Sequence, residues 1–325
     1  MYHPTFGSRQ ASWFAMSLSI SLPTGITAKC TGLEVWMDRA VELSSEVRPA
    51  WDAEQVHDLR VALRRSRTMA KTLSEVNPGP GWKKIKKSSR GLFHALGGLR
   101  DAQVEKSWIK KLGKSGDPLR KHMLRRLSAQ ERRQRTVAEQ ALDDFDRKNW
   151  RRLSRKLSTK ARFFPLESVV YQRAALARLN EAVELYQLAR KKRSSAGWHR
   201  LRVGLKHFRY VVENFLPQRY EVWSEDLKHM QDLLGEVHDL DILRREIRKE
   251  ASALPPAQTA QWFARIRTER KARVDELLSK TSAKDSPWVV WRAGFQWGHS
   301  PLGTRSAKTS RVMAASPYSA SRASA

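Results

Sequence analysis

The sequence predicts an all-α fold built as two tandem pseudo-symmetric four-helix bundles with long antiparallel helices, flanked by disordered N- and C-terminal tails. Three observations carry this prediction. Apolar residues recur at spacings of three and four between Leu33 and Lys280, no stretch shows sustained alternation with β-branched enrichment, and two sequence blocks return in the same order further along the chain. On this reading residues 1–30 are the N-terminal tail and 31–282 the helical domain, with 31–150 the first bundle and 151–282 the second; 283–325 form a basic C-terminal tail.

Eight helices are expected, over about 33–48, 53–76, 82–112, 117–147, 167–192, 197–216, 220–251 and 257–280. The breaks between them fall near Pro49, at Asn77 to Gly81, at Gly113 to Pro118, around Pro165, at Ser194 to Gly197, at Pro217 and at Pro255-Pro256. Proline lacks the N–H a helix interior needs, and Gly, Ser and Asn favour turns. At ~1.5 Å per residue the longer helices reach roughly 35 to 45 Å, a length that suits bundles. Residues 1–30 mix Ser, Thr, Gly and Pro without helical period, and 283–325 end in the Ser/Ala/Arg-rich run Ser316 to Ala325.

The 325 residues carry 62 Lys+Arg against 33 Asp+Glu, a formal charge of +29. The two tails account for +2 and +5, so +22 falls on the helical region, where it can be organised into a surface. Hydrophobic residues make up 40%, enough to bury a core, so uniform disorder is excluded. No run approaches the roughly 18 to 20 apolar residues of a membrane span. Cys30 stands alone, which excludes an internal disulfide and a Cys-rich zinc site and fits a reducing compartment; cytoplasm is the expected location. Trp13 to Leu22 is mildly apolar, but serines dilute it and no cleavage site follows, so it is not read as a signal peptide.

The first repeated block runs His57-Asp58-Leu59-Arg60-Val61-Ala62-Leu63-Arg64-Arg65-Ser66-Arg67 and returns, 142 residues on, as His199-Arg200-Leu201-Arg202-Val203-Gly204-Leu205-Lys206-His207-Phe208-Arg209. The second runs Leu96-Gly97-Gly98-Leu99-Arg100-Asp101 and returns 138 residues on as Leu234-Gly235-Glu236-Val237-His238-Asp239. At about 100° per residue, His57, Arg60, Arg64, Arg67 and Lys71 share one stripe, and Leu59, Ala62, Leu63, Ser66, Ala70 and Leu73 another. In the second copy His199, Arg202, Lys206 and Arg209 oppose Leu201, Leu205, Phe208, Val212 and Phe215. Each helix thus buries one side and presents cations about one turn apart. Like charges at that spacing cost a few tenths of a kcal/mol each. A single such run reads as a solvated face, but the same row on two equivalent helices points to a row of anions as its partner.

These blocks resemble the CHAD family, the conserved-histidine α-helical domain, over about Leu33 to Lys280. The resemblance implies two pseudo-symmetric four-helix bundles that bind inorganic polyphosphate on a basic surface between and around them, without catalysis or cofactor. Members of the family occur on polyphosphate or polyhydroxyalkanoate granules, and many are fused to a triphosphate tunnel domain. This chain has no Glu-x-Glu-x-Lys motif near its start. Carried over by position, Arg60, Arg64 and Arg67 with Arg202, Lys206 and Arg209 are the first-rank phosphate contacts. Arg90 and Lys228 are equivalent under the second offset, and Lys83, Lys84, Lys86 and Lys87 add charge at the start of the third expected helix. Forked guanidiniums and point-charge lysines together suit a flexible chain of repeating anions. Asp101 and Asp239 read as internal salt-bridge partners.

Three roles are open to His57 and His199: phosphate contact as imidazolium, metal ligation, or a hydrogen bond between helices. One histidine per motif is a poor ligand set, so no metal site is assigned. Phosphate contact would bring a pH dependence near 6.5. Gly113-Lys114-Ser115 imitates a nucleotide-binding loop, yet Trp108 stands where the earlier glycine belongs, and helices flank the segment. No catalytic triad or carboxylate pair is shared by both copies, so no enzyme activity is expected. The competing reading is sequence-nonspecific nucleic-acid binding, which the net charge favours. Against it, Trp51, Trp82, Trp198 and Trp223 fall at helix starts and read as core anchors, away from the cationic stripes.

Overall fold

A computed structural model describes residues 32–48 and 51–295, and every regular element among them is helical. In order these are α1 (Gly32–Glu46), α2 (Ala53–Val76), α3 (Trp82–Ser88), α4 (Arg90–Leu112), α5 (Pro118–Asp143), α6 (Arg147–Ala161), α7 (Val169–Lys192), α8 (Ser195–Phe215), α9 (Pro217–Lys249), α10 (Pro256–Ser282) and α11 (Pro287–Ala293), with a short 3-10 turn between α9 and α10. Local chemistry sets the starts. Asp52 accepts from the backbone N–H of Glu54 and Gln55 at 2.8 and 3.0 Å, Asp117 from Leu119 and Arg120 at 3.0 and 3.3 Å, and Asp146 from Asn149 at 2.8 Å. Ser194 does the same for Gly197 at 3.1 Å and so begins α8. Each cap satisfies a donor that the first turn leaves without an intrahelical partner.

Three elements differ from the expectation. The helix expected over 117–147 is two: α5 stops at Asp143, and Asp146 restarts the chain as α6. Trp150, Leu153, Leu157 and Ala161 of α6 point inward, and Arg151, Arg152, Arg155 and Lys156 point out. The density of cations concealed a strongly amphipathic pattern. The helix expected over 82–112 breaks at Ser89, which is buried, donates its hydroxyl to the Ile85 carbonyl at 2.8 Å and accepts from Arg67 at 3.1 Å. Such side-chain bonds compete with the helical ladder.

The C-terminal tail expected from 283 is corrected over its first part. Trp288 and Trp291 of α11, with Phe295, are buried. Trp288 lies 5.5 Å from Tyr186, Trp291 5.3 Å from Phe208 and Phe295 5.3 Å from Trp223, measured between ring centroids. Three large aromatic side chains bury enough surface to order a segment whose composition otherwise reads as tail. The expectations for residues 1–30 and for 296–325 lie outside the described residues.

Buried apolar side chains form two clusters, and neither is confined to one side of residue 150. The larger joins α1–α3, α6–α8 and α11 with parts of α4, α5, α9 and α10. The smaller lies where the far ends of α4 and α5 meet those of α9 and α10, through Trp108, Leu119, Met123, Leu243, Trp262 and Ile266. Trp51, Trp82, Trp198 and Trp223 are all buried, as their places at helix starts predict. Among the described residues no helix is long and apolar enough to cross a membrane.

Candidate functional site

Helices α2 and α8 pack on each other, and α4 packs on α9 beside them. On one flank Arg65 donates to Glu213 at 2.5 Å while stacking on Trp36 at 4.0 Å. The 142-residue offset exchanges that pair for His207 and Lys71, and His207 lies in the field of Lys71. The packing turns the two His/Arg rows toward one another. Arg60 and Arg202, the same position in the two copies, act on each other's charge; Arg64 acts on Arg202, and Lys206 feels Arg202, Arg64 and Arg60. Four cations from two helices therefore share one half-buried site.

No carboxylate among the described residues forms a close ion pair within that site. Among the described residues Arg60, Arg64, Arg202 and Lys206 have no carboxylate within ion-pair distance, and the Nε atoms of Arg60, Arg64 and Arg202 are shielded from solvent without a hydrogen-bond partner. Asp101 and Asp239 do not serve as the expected salt-bridge partners. They act on Arg60, Arg100, Arg202 and Lys206 through the field only. Burial raises both carboxyls, Asp239 to about 6 even with Arg202 and Lys206 opposing the shift. Burial lowers Arg60 and Arg202 from their ordinary values and holds Lys206 well below its own, with neighbouring guanidiniums reinforcing the effect. Desolvated donors facing like charges are costly to assemble, and a bound anion relieves both costs at once.

The ends of the rows are different. Arg67 donates to the Lys86 carbonyl at 2.9 Å and to Ser89 at 3.1 Å, and lies over Phe93 at 4.6 Å. Arg209 sits 3.6 Å from Glu213 and donates to Gln231 at 3.2 Å and to Tyr220 at 3.4 Å. Arg67 thereby ties α3 to the end of the first row. Lys83, Lys84, Lys86, Lys87 and Arg90 stand exposed beyond it, with Arg90 close enough to act on Arg67. Lys228 is half-buried beyond Arg209, where it and Arg209 both act on Asp232.

His57, His199 and His238 are all held below the ordinary imidazole value. Burial, then Arg100, Arg64 and Arg60, push His57 down to about 4. Burial, then Arg202 and His199, do the same to His238, and His199 is lowered as well. All three are neutral near pH 7, so each offers a single N–H donor, and the expected transition near 6.5 is displaced downward. His199 and His238 approach through their Nδ1 atoms at 3.2 Å. Among the described residues no group of three or more His, Cys, Asp or Glu could hold a metal ion.

Sequence reasoning left several members out of the site. Arg100 donates to the Ala53 carbonyl at 3.0 Å and acts on His57; its copy is His238. Phe93 supports Arg60 at 5.2 Å as well as Arg67. Gly97 of α4 lies beside the Arg60 guanidinium, and a Cβ there would stand at an ordinary contact distance of 3.6 Å from it. The repeated Leu-Gly block signalled Arg100 and Gly97; nothing in the sequence singled out Phe93. Tyr210 is buried and lies in the field of Arg60 and Arg202.

Comparison with known proteins bears on the architecture. The crystal structure of the CHAD domain from the plant Ricinus communis is similar to this chain with a TM-score of 0.55 at 20% identity, covering 81% of this chain and 88% of that one. PptA from Streptomyces chartreusis is similar with a TM-score of 0.56 at 16% identity, covering 77% and 95%. At these identities the likeness shows the fold alone. No curated protein matches the chain. The family model for the CHAD domain matches residues 37–248, a span that contains both His/Arg rows and both Leu-Gly blocks. With the motifs, the meeting of the rows and the helical architecture in agreement, this chain belongs to the CHAD domain family.

Proposed function

We propose that the cationic site where α2 and α8 meet binds inorganic polyphosphate without catalysis, as a targeting or scaffolding module. The observation that carries this reading is the convergence of Arg60, Arg64, Arg202 and Lys206 with no carboxylate paired to any of them. A polymer of closely spaced anions can engage all four at once, and guanidinium forks and the lysine accept it in many registers. The charge beyond Arg67, on Lys83, Lys84, Lys86, Lys87 and Arg90, supplies a path along which a long chain continues. His57 and His199 contribute neutral N–H donors. In this reading residues 31–282 act as one binding unit in the cytoplasm, with polyphosphate or polyhydroxyalkanoate granules as its destination.

The test is binding of long-chain polyphosphate to the full chain carrying Arg60→Glu and Arg202→Glu. Affinity at low salt falls on the order of 100-fold or more, by loss of phosphate contacts and by repulsion, while circular dichroism shows the helices retained. Undiminished binding would move the site elsewhere. Competition at equal phosphate concentration separates polyphosphate from the nucleic-acid reading, which the net charge alone supports. Displacement by single- or double-stranded nucleic acid would establish that alternative. The burial of Trp51, Trp82, Trp198 and Trp223 removes them as stacking platforms and supports the mineral polymer.

A further inference from the structure

We propose that Lys206 is a nucleophilic amine that small acyl phosphates acylate, their phosphate held by Arg60, Arg64 and Arg202. Three features set Lys206 apart from the other lysines. It stands where the first copy of the motif has Arg64, so a primary amine sits within a group of guanidiniums. It is half-buried and, like Lys228 among the described residues, has neither a carboxylate partner nor a hydrogen bond; unlike Lys228 it lies among three guanidiniums. The charges acting on it are Arg202, Arg64 and Arg60, with Asp239 alone opposing them. Lys83, Lys84, Lys86 and Lys87 stand exposed on α3 by contrast.

Desolvation and adjacent cations are the two ways a protein keeps a lysine in its reactive, neutral form, and both act here. The surrounding guanidiniums would make the same place attractive to a small phosphate. An acyl phosphate joins the two requirements, an anion to be held and an electrophilic carbonyl carbon beside it. The Nζ lone pair bonds to that carbon and the bond from the carbon to the phosphoryl oxygen breaks. Its electron pair departs with the phosphate, which takes up the amine proton. The products are an Nζ-acyl lysine and inorganic phosphate, with no further reactant. Positive charge from the guanidiniums stabilises the oxygen on which negative charge grows.

Acylation leaves a neutral amide where the amine would otherwise take up a proton beside a bound polyanion. Its consequence, several-fold weaker polyphosphate binding, rests on the function proposed above; the acylation itself does not. The experiment exposes the full chain, free of polyphosphate, to acetyl phosphate and follows each lysine by site-resolved mass spectrometry. Lys206 is acetylated about ten-fold faster than Lys83, Lys84, Lys86 and Lys87, because the three guanidiniums gather the acyl phosphate beside its amine. A rate at Lys206 equal to or below theirs overturns the proposal. With acetic anhydride, which has no phosphate to hold, the preference for Lys206 shrinks; an unchanged preference overturns the role given to the three arginines. Long-chain polyphosphate added beforehand shields Lys206. If Lys206 is preferred but unshielded, the polyphosphate reading fails while the nucleophile stands.

Discussion

The two cationic rows meet at their middles but part company at their ends. Arg67, at the end of the first row, is held by a carbonyl, a hydroxyl and an aromatic face, all uncharged, so its positive charge stays available. Arg209, at the same place in the second row, sits beside Glu213, which also takes Arg65. The regions beyond repeat the contrast. Under the 138-residue offset, Lys83 and Lys87 of α3 correspond to Glu221 and Glu225 of α9, all four exposed. A duplicated scaffold therefore carries an unduplicated field. On the proposed function, a long polyanion seated at the centre would be drawn out along the first half and turned away by the second.

Removing that asymmetry is the sharpest test of it. Replacing Lys83, Lys84, Lys86 and Lys87 together with serine should lower affinity for long polyphosphate on the order of 30- to 100-fold at low salt and flatten the salt dependence by about three contacts. Short chains that cover only the central cations should lose far less. Equal losses for both lengths, read by titration of size-fractionated polymer, would place the path elsewhere. Charge reversal on the opposite half, Glu221→Lys with Glu225→Lys, should raise affinity for long chains several-fold.

Glu213 divides stability from binding. Its side chain is 8% exposed and serves Arg65 and Arg209, which are 18% and 17% exposed. Glu213→Gln leaves two largely buried guanidiniums without a counter-charge, which should lower unfolding stability by about 3 kcal/mol. Chemical denaturation measures this, and an unchanged midpoint would show that the pairs are dispensable. Polyphosphate affinity should hold or improve, because one opposing charge is gone.

The smallest effect is on pH dependence. His57 and His238 titrate at about 4 when folded and near 6.5 when unfolded. Between those values the unfolded chain binds more protons, so these two histidines cost the free protein stability as pH falls through the window. On the proposed function, bound polyphosphate should raise both pKa values, so that binding takes up protons and tightens as pH falls through the same window. The raised carboxyls of Asp239, at about 6, and Glu105, at about 7, act on stability in the opposite sense. The histidine contribution is therefore read as the difference between the native chain and His57→Gln with His238→Gln. Parallel affinity profiles for the two proteins would show that the histidines stay neutral in the complex.

Helical periodicity and punctuation by Pro, Gly, Asn and Ser placed most helices within a few residues, because turn formation is local. The readings that failed had local signals outweighed by composition or by distant partners. In α6 the cations outnumber the apolar residues, though Trp150, Leu153, Leu157 and Ala161 keep the period. The break at Ser89 depends on Arg67, 22 residues away in sequence. The ordered segment around α11 depends on Tyr186, Phe208 and Trp223, which only the folded chain brings near it.

From sequence alone came the helical class, the duplication and the identity of the cations in each row, since period, repetition and residue type are properties of the chain read in order. Tertiary structure alone decided that the rows face one another, that Asp101 and Asp239 leave the central cations unpaired, that Glu213 neutralises one end and that the histidines are neutral. Those outcomes depend on distances between residues far apart in the chain and on exclusion of water, and both arise only when helices pack.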